Sequence, residues 1–451
     1  MLGIPSSLRY FYPRGTEKEK RMFISQTIVL SFLIGFLLFI IFLIIGGPVT
    51  SLLFHQDLSS YMFLLGAHAF FILTSSYLGQ IMILKGDIKL SGLTAINFTI
   101  LDLIFMSGSV IITGSVTGLM TGILIASFIK FIYSIWYSTK KFQPKINLVS
   151  KEKMTQQIKY GIPLALAGAI GILNVNIDKF FISFYFTTAL FAVYSVGALF
   201  APVVRILLLS ISDVMIPEIS LLHKQKNYKR ILTIWHESIR KTAILYYPLF
   251  VFLFIVSNAL IIVFFTSSYT GATEIFMIYL FLLLIRVTHY SYLLSATGNT
   301  KYILKVTLIG LGVNIILSYI LIETLGFSGP AIASVIVTYI MAVLYMFKLS
   351  EEFHIKMKDI FPWKVLAKIC SIALLTGIIT FTILGLIGLP LLGLEFYSLI
   401  QLPDILSGPF PTLLIATALY LVLYLSLAKV TNIIKKEDWR DIMGLFGIKK
   451  D

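Results

Sequence analysis

Residues 22–46 read MFISQTIVLSFLIGFLLFIIFLIIG, a run without one ionisable side chain. At about 1.5 Å of rise per residue a helix of this length outreaches the roughly 30 Å hydrocarbon core of a bilayer. The run is apolar on all sides, whereas a helix at the surface of a soluble domain keeps a polar face. It is therefore read as a membrane-spanning helix, and the rest of the chain is read outward from it.

Comparable runs follow near 60–84, 91–113, 115–138, 159–183 and 188–214, then near 240–266, 273–296, 303–323, 326–347, 365–389 and 410–429. The expectation is an all-α, polytopic membrane protein of about twelve transmembrane helices. Composition agrees: 58% of the 451 residues are hydrophobic and 13% charged, against roughly 25% charged in soluble domains. The net charge of +15 does not point to nucleic acid, because Lys and Arg sit in short clusters between apolar runs and no polar domain carries them. Cys370 is the lone cysteine and lies in an apolar run, and the six histidines lack metal-ligand spacing, so neither disulfide, metal nor cofactor is expected.

The loops test the count. Arg9, Arg14, Lys18, Lys20 and Arg21 precede the first span, and Lys85 and Lys89 follow the second. Lys140, Lys141, Lys145, Lys151 and Lys153 follow the fourth, and Lys224, Lys226, Lys229 and Arg230 the sixth. Lys301, then Lys348, Lys356 and Lys358, then Lys435, Lys436 and Arg440 continue the series. The alternate loops near 47–59, 184–187, 267–272, 324–325 and 390–409 have no Lys or Arg. The positive-inside rule then puts both termini in the cytoplasm of a multi-pass protein of the cell membrane.

Three landmarks recur at nearly one spacing, as in transporters built from repeats. Ile4-Pro5 matches Ile216-Pro217, Gly86-Asp87-Ile88-Lys89 matches Gly298-Asn299-Thr300-Lys301, and Gly118 matches Gly329. This predicts two pseudo-symmetric helical lobes: residues 1–138 with four helices, a linker at 139–158, and 159–348 with six. A terminal helix pair spans 349–430, and a basic amphipathic tail at 431–451 is expected to lie on the anionic inner leaflet. Partners of spans five and six would fall before Met1, so the first lobe is expected to lack a hairpin.

Ionisable groups inside a span cost several kcal/mol and face a cavity or a partner. Asp102, Asp178, Lys179, Arg205 and Arg286 are the ones weighed. Pro163, Ala167, Gly171, Asn174 and Asp178 share one helical face, as do Tyr194, Ala198, Ala201 and Arg205. Two readings fit: the stripes line a cavity, or small residues allow close packing with Asn174 and Asp178 as interhelical hydrogen-bond partners. Arg286 either binds a diphosphate bidentately or pairs with Asp102. Lys179 reads best as snorkelling to the outer interface.

Gly161-Ile162-Pro163, Ile177-Asp178-Lys179, Val193-Tyr194-Ser195-Val196-Gly197 and Ile216-Pro217-Glu218 resemble the polysaccharide-export and oligosaccharide-flippase family of the multidrug/oligosaccharidyl-lipid/polysaccharide (MOP) transporter group. Ala296-Thr297-Gly298-Asn299-Thr300-Lys301 looks like that family's turn after its tenth helix, and Asn314 sits where its members often have an asparagine. The resemblance implies fourteen helices in the family, two more than are found here. It also implies a monomeric flippase, not an enzyme, that moves lipid-linked oligosaccharide by alternating access. Its partners would be membrane lipid and a coupling cation. Arg205, Arg286, Asp178, Asn174, Tyr194 and Asp102 are the substrate-cavity candidates. The alternatives are a cation-coupled multidrug exporter of the same fold, a membrane-embedded glycan-processing enzyme, for which the outer loop offers only Glu395 and Asp404, and a relic of a flippase gene.

Overall fold

The computed structural model describes residues 3–54, 59–144, 149–200, 215–387, 389 and 408–434, and among them every regular element is a helix. The first six are α1 (Ile4–Phe11), α2 (Glu17–Phe54), α3 (Ser59–Ser75), α4 (Leu78–Lys85), α5 (Ile88–Thr113) and α6 (Val116–Phe142). Next come α7 (Lys151–Tyr185), α8 (Thr188–Gly197), α9 (residues 215–224) and α10 (Tyr228–Phe265). α11 (Ala272–Leu280), α12 (Leu282–Ile285) and α13 (Tyr290–Thr297) divide one long segment. α14 (Thr300–Leu325), α15 (Gly329–Phe353), α16 (Trp363–Leu386) and α17 (Pro409–Val430) complete the series.

Ten helical segments among the described residues are long and apolar enough to cross a membrane. The longest, Thr300–Phe353, holds both α14 and α15, joined by a short 3-10 turn at Gly326–Ser328. The sixth expected span opens as α8 and continues beyond the described residues. The predicted outer loop with Glu395 and Asp404 lies outside the described residues except at its edges, and so does the tail from Lys435. Ile111 and Ile112 are 82% and 84% exposed. Large aliphatic side chains so presented along whole helices belong against lipid rather than water.

The chain forms two compact units. The first comprises Met1–Gly168, Asp213–Asn227 and Leu293–Leu304. Here α2 packs on α3, α3 on α6, and α5 on α6. Leu8, Phe23, Ile24, Tyr77, Ile81, Met82 and Tyr137 form its apolar core. The short helix α1 starts with Pro5 in its first turn, where a missing N–H costs nothing, and buries Ile4 and Leu8. Arg14, just after it, donates to Ser220 Oγ at 2.8 Å, the Tyr10 hydroxyl at 2.9 Å and the Ala296 carbonyl at 3.0 Å. Its guanidinium also lies 3.0 Å from His223 Nδ1. Tyr10 stacks on Tyr160, whose hydroxyl donates to the Ser295 carbonyl. The amino-terminal helix is thus fastened to α9 and to the end of α13.

The second unit comprises Ala169–Ser212, Tyr228–Tyr292 and Lys305–Asp451. α8 and α15 both pack on α11, while α10, α16 and α17 pack on one another. Ile182, Tyr194, Ile275, Leu282 and Ala331 form one of its cores, and Tyr246, Leu253, Phe276, Leu280 and Leu283 another.

The internal repeat is visible in the backbone. α2 and α10 both have 38 residues, and α5 and α14 both have 26. Gly86 and Gly298 share a left-handed conformation at φ 91° and 92°, and Gly114 and Gly326 another at φ 60° and 65°. Both pairs are 212 positions apart, and all four glycines sit in turns where a Cβ would be strained. Gly118 and Gly329, the third pair of sequence landmarks, have a different role. They lie inside α6 and α15 against the preceding helix, and the turn itself is made by Gly114 and Gly326. The break between α3 and α4 at Ser76-Tyr77 falls on the break between α12 and α13 by the same offset.

Candidate functional site

Two polar centres lie within the second unit and one within the first. In the second unit, α7 carries Asn174 and Asp178 one turn apart. Tyr194 of α8 donates to Asp178 Oδ2 at 3.0 Å, and Tyr279 of α11 donates to the same oxygen. The two phenols are 3.3 Å apart, and Asp178 is 1% exposed. Its other oxygen, Oδ1, is buried without a hydrogen-bond partner. A buried carboxylate with one oxygen doubly bonded and one bare is suited to accept a proton or a small cation. Among the described residues no group of three or more His, Cys, Asp or Glu could hold a metal ion.

One turn along α7, Asn314 of α14 donates to Asn174 Oδ1 at 2.9 Å and to the Asn174 carbonyl at 3.2 Å. Ser334 of α15 lies 3.4 Å from the same amide nitrogen, and Ser318 donates to Asn314 Oδ1 at 3.2 Å. Both Asn174 and Asp178 therefore make interhelical hydrogen bonds. On the same face nothing lies within 4 Å of a would-be Cβ at Gly171, so the hydrogen bonds hold two positions of the face and leave a third open.

The second centre is Arg286. The segment Ala272–Thr297 is a spanning helix by length, but it stops at Ile285 and resumes at Tyr290. Arg286 caps the first piece with φ −82° and ψ 28°, donating its backbone N–H to the Leu282 carbonyl at 2.9 Å. The Leu284 and Ile285 carbonyls beside the break are met by tyrosines, and a third tyrosine bonds the Phe281 carbonyl, which also accepts the Leu284 N–H at 3.3 Å. Tyr339 donates to Phe281 at 2.8 Å, Tyr247 to Leu284 at 3.4 Å, and Tyr290 to Ile285 at 2.8 Å. Non-helical backbone at membrane depth needs partners of this kind. The corresponding break in the first unit is satisfied locally: Ser75 Oγ bonds the carbonyls of Phe71 and Ile72, and Ser76 Oγ that of Leu73.

The third centre, in the first unit, corrects an expectation. Asp102 was a candidate partner for Arg286, yet its carboxylate is taken by Lys130 of α6, whose Nζ lies 2.6 and 2.5 Å from the two oxygens. α5 and α6 are adjacent and antiparallel, which brings residues 28 positions apart to one level. Lys130 and Tyr279 are the functional-type residues that the sequence reading passed over. A lysine inside an apolar run was itself the available signal for the first, whereas nothing marked Tyr279 among 23 tyrosines. Arg205 and Ala201 lie outside the described residues, so of their stripe only Tyr194 and Ala198, both buried, can be placed.

Residues 15–274 match the model of a family described as polysaccharide biosynthesis protein. No curated protein matches the chain. Its fold is similar to that of a mutant form of the Vibrio cholerae MATE transporter VcmN, with TM-score 0.68 and 13% identity over 78% of this chain and 86% of that one. It is also similar to VcmN in its bent form, with TM-score 0.66 and 14% identity over 80% and 86%. A MOP superfamily transporter from Pyrococcus furiosus gives TM-score 0.67 and 15% identity over 78% and 84%. At these identities the likeness establishes a fold, and the sequence match supplies the family. The chain is a multi-pass membrane protein that belongs to the polysaccharide biosynthesis protein family.

Proposed function

We propose that this protein is a flippase that carries lipid-linked oligosaccharide, a polyprenyl-diphosphate sugar, across the cell membrane by alternating access. The observation that carries the reading is the interrupted spanning helix that places Arg286 ten residues or more from either end of its segment. A guanidinium there can meet a diphosphate with two parallel hydrogen bonds, a geometry that a lysine cannot reproduce. The family's description, polysaccharide biosynthesis, supports the sugar part of the cargo. In this reading residues 1–138 and 159–348 are the moving lobes, except that 213–227 and 293–304 go with the first compact unit, 139–158 is the linker, and 349–430 an accessory pair. Both termini face the cytoplasm, the protein works as a monomer, and it has no enzymatic step. Arg205 is a second candidate for the headgroup.

A second reading, a cation-coupled multidrug exporter, draws on Asp178 with its bare Oδ1 and on the MATE-like fold. Within the flippase reading the same carboxylate, with Tyr194, Asn174 and their neighbours, would take the coupling cation.

The test is leaflet exchange of a fluorescent polyprenyl-diphosphate sugar in proteoliposomes, followed by protection from an external quencher. Arg286→Ala is expected to lower the exchange rate about tenfold or more, equivalent to about 1.4 kcal/mol or more of lost headgroup binding. Arg286→Lys should recover only part of it. Exchange that is absent from folded wild-type protein, or unchanged in Arg286→Ala, counts against this reading.

A further inference from the structure

The Lys130–Asp102 pair sits deep in its helices: Lys130 is 14 positions into α6, and Asp102 is 11 from the end of α5. At about 1.5 Å per residue each lies roughly 16–18 Å from the nearer end of its helix. The pair is asymmetric in access. Asp102's side chain is 39% accessible and Lys130's 13%. His68 of α3, which packs against α6, is close enough for both charges to act on its ring. The Nδ1 of that ring is buried and has no hydrogen-bond partner. Among the described residues of α2 to α6 no further charge lies at this depth: α2 has no ionisable side chain after Arg21, and the other lysines of α4, α5 and α6 (Lys85, Lys89, Lys140 and Lys141) are at the helix ends. The repeat makes the placement more telling. Position 102 corresponds to 314 by the offset of 212, and there the second unit has Asn314 in a neutral amide and hydroxyl cluster. One repeat thus holds charges where the other holds none.

A lysine paired with one carboxylate cannot also serve an anion unless the carboxylate is discharged or displaced. A neutral aspartic acid no longer competes for it. Anion binding and protonation at this place are therefore linked, and each must favour the other to the same extent. We propose that Lys130, Asp102 and His68 form an anion site in the first unit, where a phosphate or diphosphate group takes the lysine from the aspartate and the chain takes up a proton in exchange. The proton is held by Asp102 and by the bare Nδ1 of His68. No bond between heavy atoms forms or breaks: the lysine keeps its charge, and the proton taken from solvent makes one O–H or N–H bond and offsets one unit of the anion's charge. This rests on the reading of an anionic cargo and adds to it a second contact point and a proton dependence. The competing explanation is a structural pin between α5 and α6, since α5 buries only Thr94.

Calorimetric titration of the full chain in lipid nanodiscs, at pH 7 in two buffers of different ionisation heat, separates the two. The probes are inorganic pyrophosphate and, in a parallel arm, a short polyprenyl diphosphate. Wild type is expected to bind with uptake of about one proton per anion. Lys130→Gln should weaken binding about tenfold or more. Asp102→Asn should bind at least as tightly as wild type with most of the uptake lost, and Asp102→Asn with His68→Gln should lose the remainder. Lys130→Arg keeps charge and pair, and it guards against a variant that simply misfolds. Binding of the lipid alone would assign the site to the headgroup in its bilayer, and binding of pyrophosphate as well would assign it to the phosphate chemistry itself. The proposal is overturned if wild type binds neither probe, if binding is unchanged in Lys130→Gln, or if it occurs without proton uptake. Leaflet exchange without proton-linked binding would remove this site and leave the flippase reading standing. Proton-linked pyrophosphate binding without exchange would do the reverse.

Discussion

Asp178→Ala is expected to destabilise the second unit by about 3 kcal/mol, because two buried tyrosine hydroxyls lose a charged acceptor. Tyr194 is fully buried and Tyr279 8% exposed, so water cannot readily replace the carboxylate. The phenols, 3.3 Å apart, can turn towards each other, which keeps the loss from being larger. Asp178→Asn should lose less than half as much, since its carbonyl can still accept from a phenol while its amide points to the bare side. Thermal unfolding in detergent, followed by intrinsic fluorescence, measures both. A melting temperature of Asp178→Ala equal to that of wild type would show that the carboxylate does not hold α7, α8 and α11 together.

A comparable loss is expected from Gly122→Leu in α6. A Cβ there would lie 2.3 Å from the Phe105 carbonyl oxygen, which is backbone of α5 and cannot turn aside. The two helices must part, at a cost of about 3 kcal/mol, the upper end for overpacking. Separation would also strain the Lys130–Asp102 pair on the same two helices. Gly92→Ala in α5 is the matched control, since nothing lies within 4 Å of its would-be Cβ. Recovery of monodisperse protein after extraction, with the melting temperature, should separate the two variants. Equal behaviour would mean that α5 and α6 are less closely packed than described.

The large features of the fold were legible because each is written locally. A run such as 22–46 declares a span by length, and lysines on alternate loops confirm the count without knowledge of packing. The repeat could be read from glycine turns for the same reason: Gly86 and Gly298 mark a left-handed residue wherever they occur. The site was legible only in part. Spacing along α7 showed that Asn174 and Asp178 share a face, yet it could not show that Tyr279, 101 positions away, would bond to the carboxylate. The same gap set Asp102 beside Arg286 as an alternative when Lys130 held it. The break at Arg286-Val287-Thr288-His289 contains neither glycine nor proline, so no residue in it announces a helix end.

That break also bears on how the protein is made. The Ser76-Tyr77 interruption is satisfied by Ser75 and Ser76, so it can form as soon as its own segment leaves the ribosome. The later interruption has one such partner of its own, Tyr290, but takes Tyr247 of an earlier helix, α10, for the Leu284 carbonyl. Its segment should therefore enter the bilayer as a continuous helix and acquire its bend only once it has docked on α10, which carries Tyr247. A synthetic peptide of residues 272–297 in lipid micelles is expected to show unbroken helical amide protection, and a peptide of residues 59–85 to show the gap. The two halves of the chain would then differ in when their shape is settled, one within its own segment and the other on docking against a neighbour.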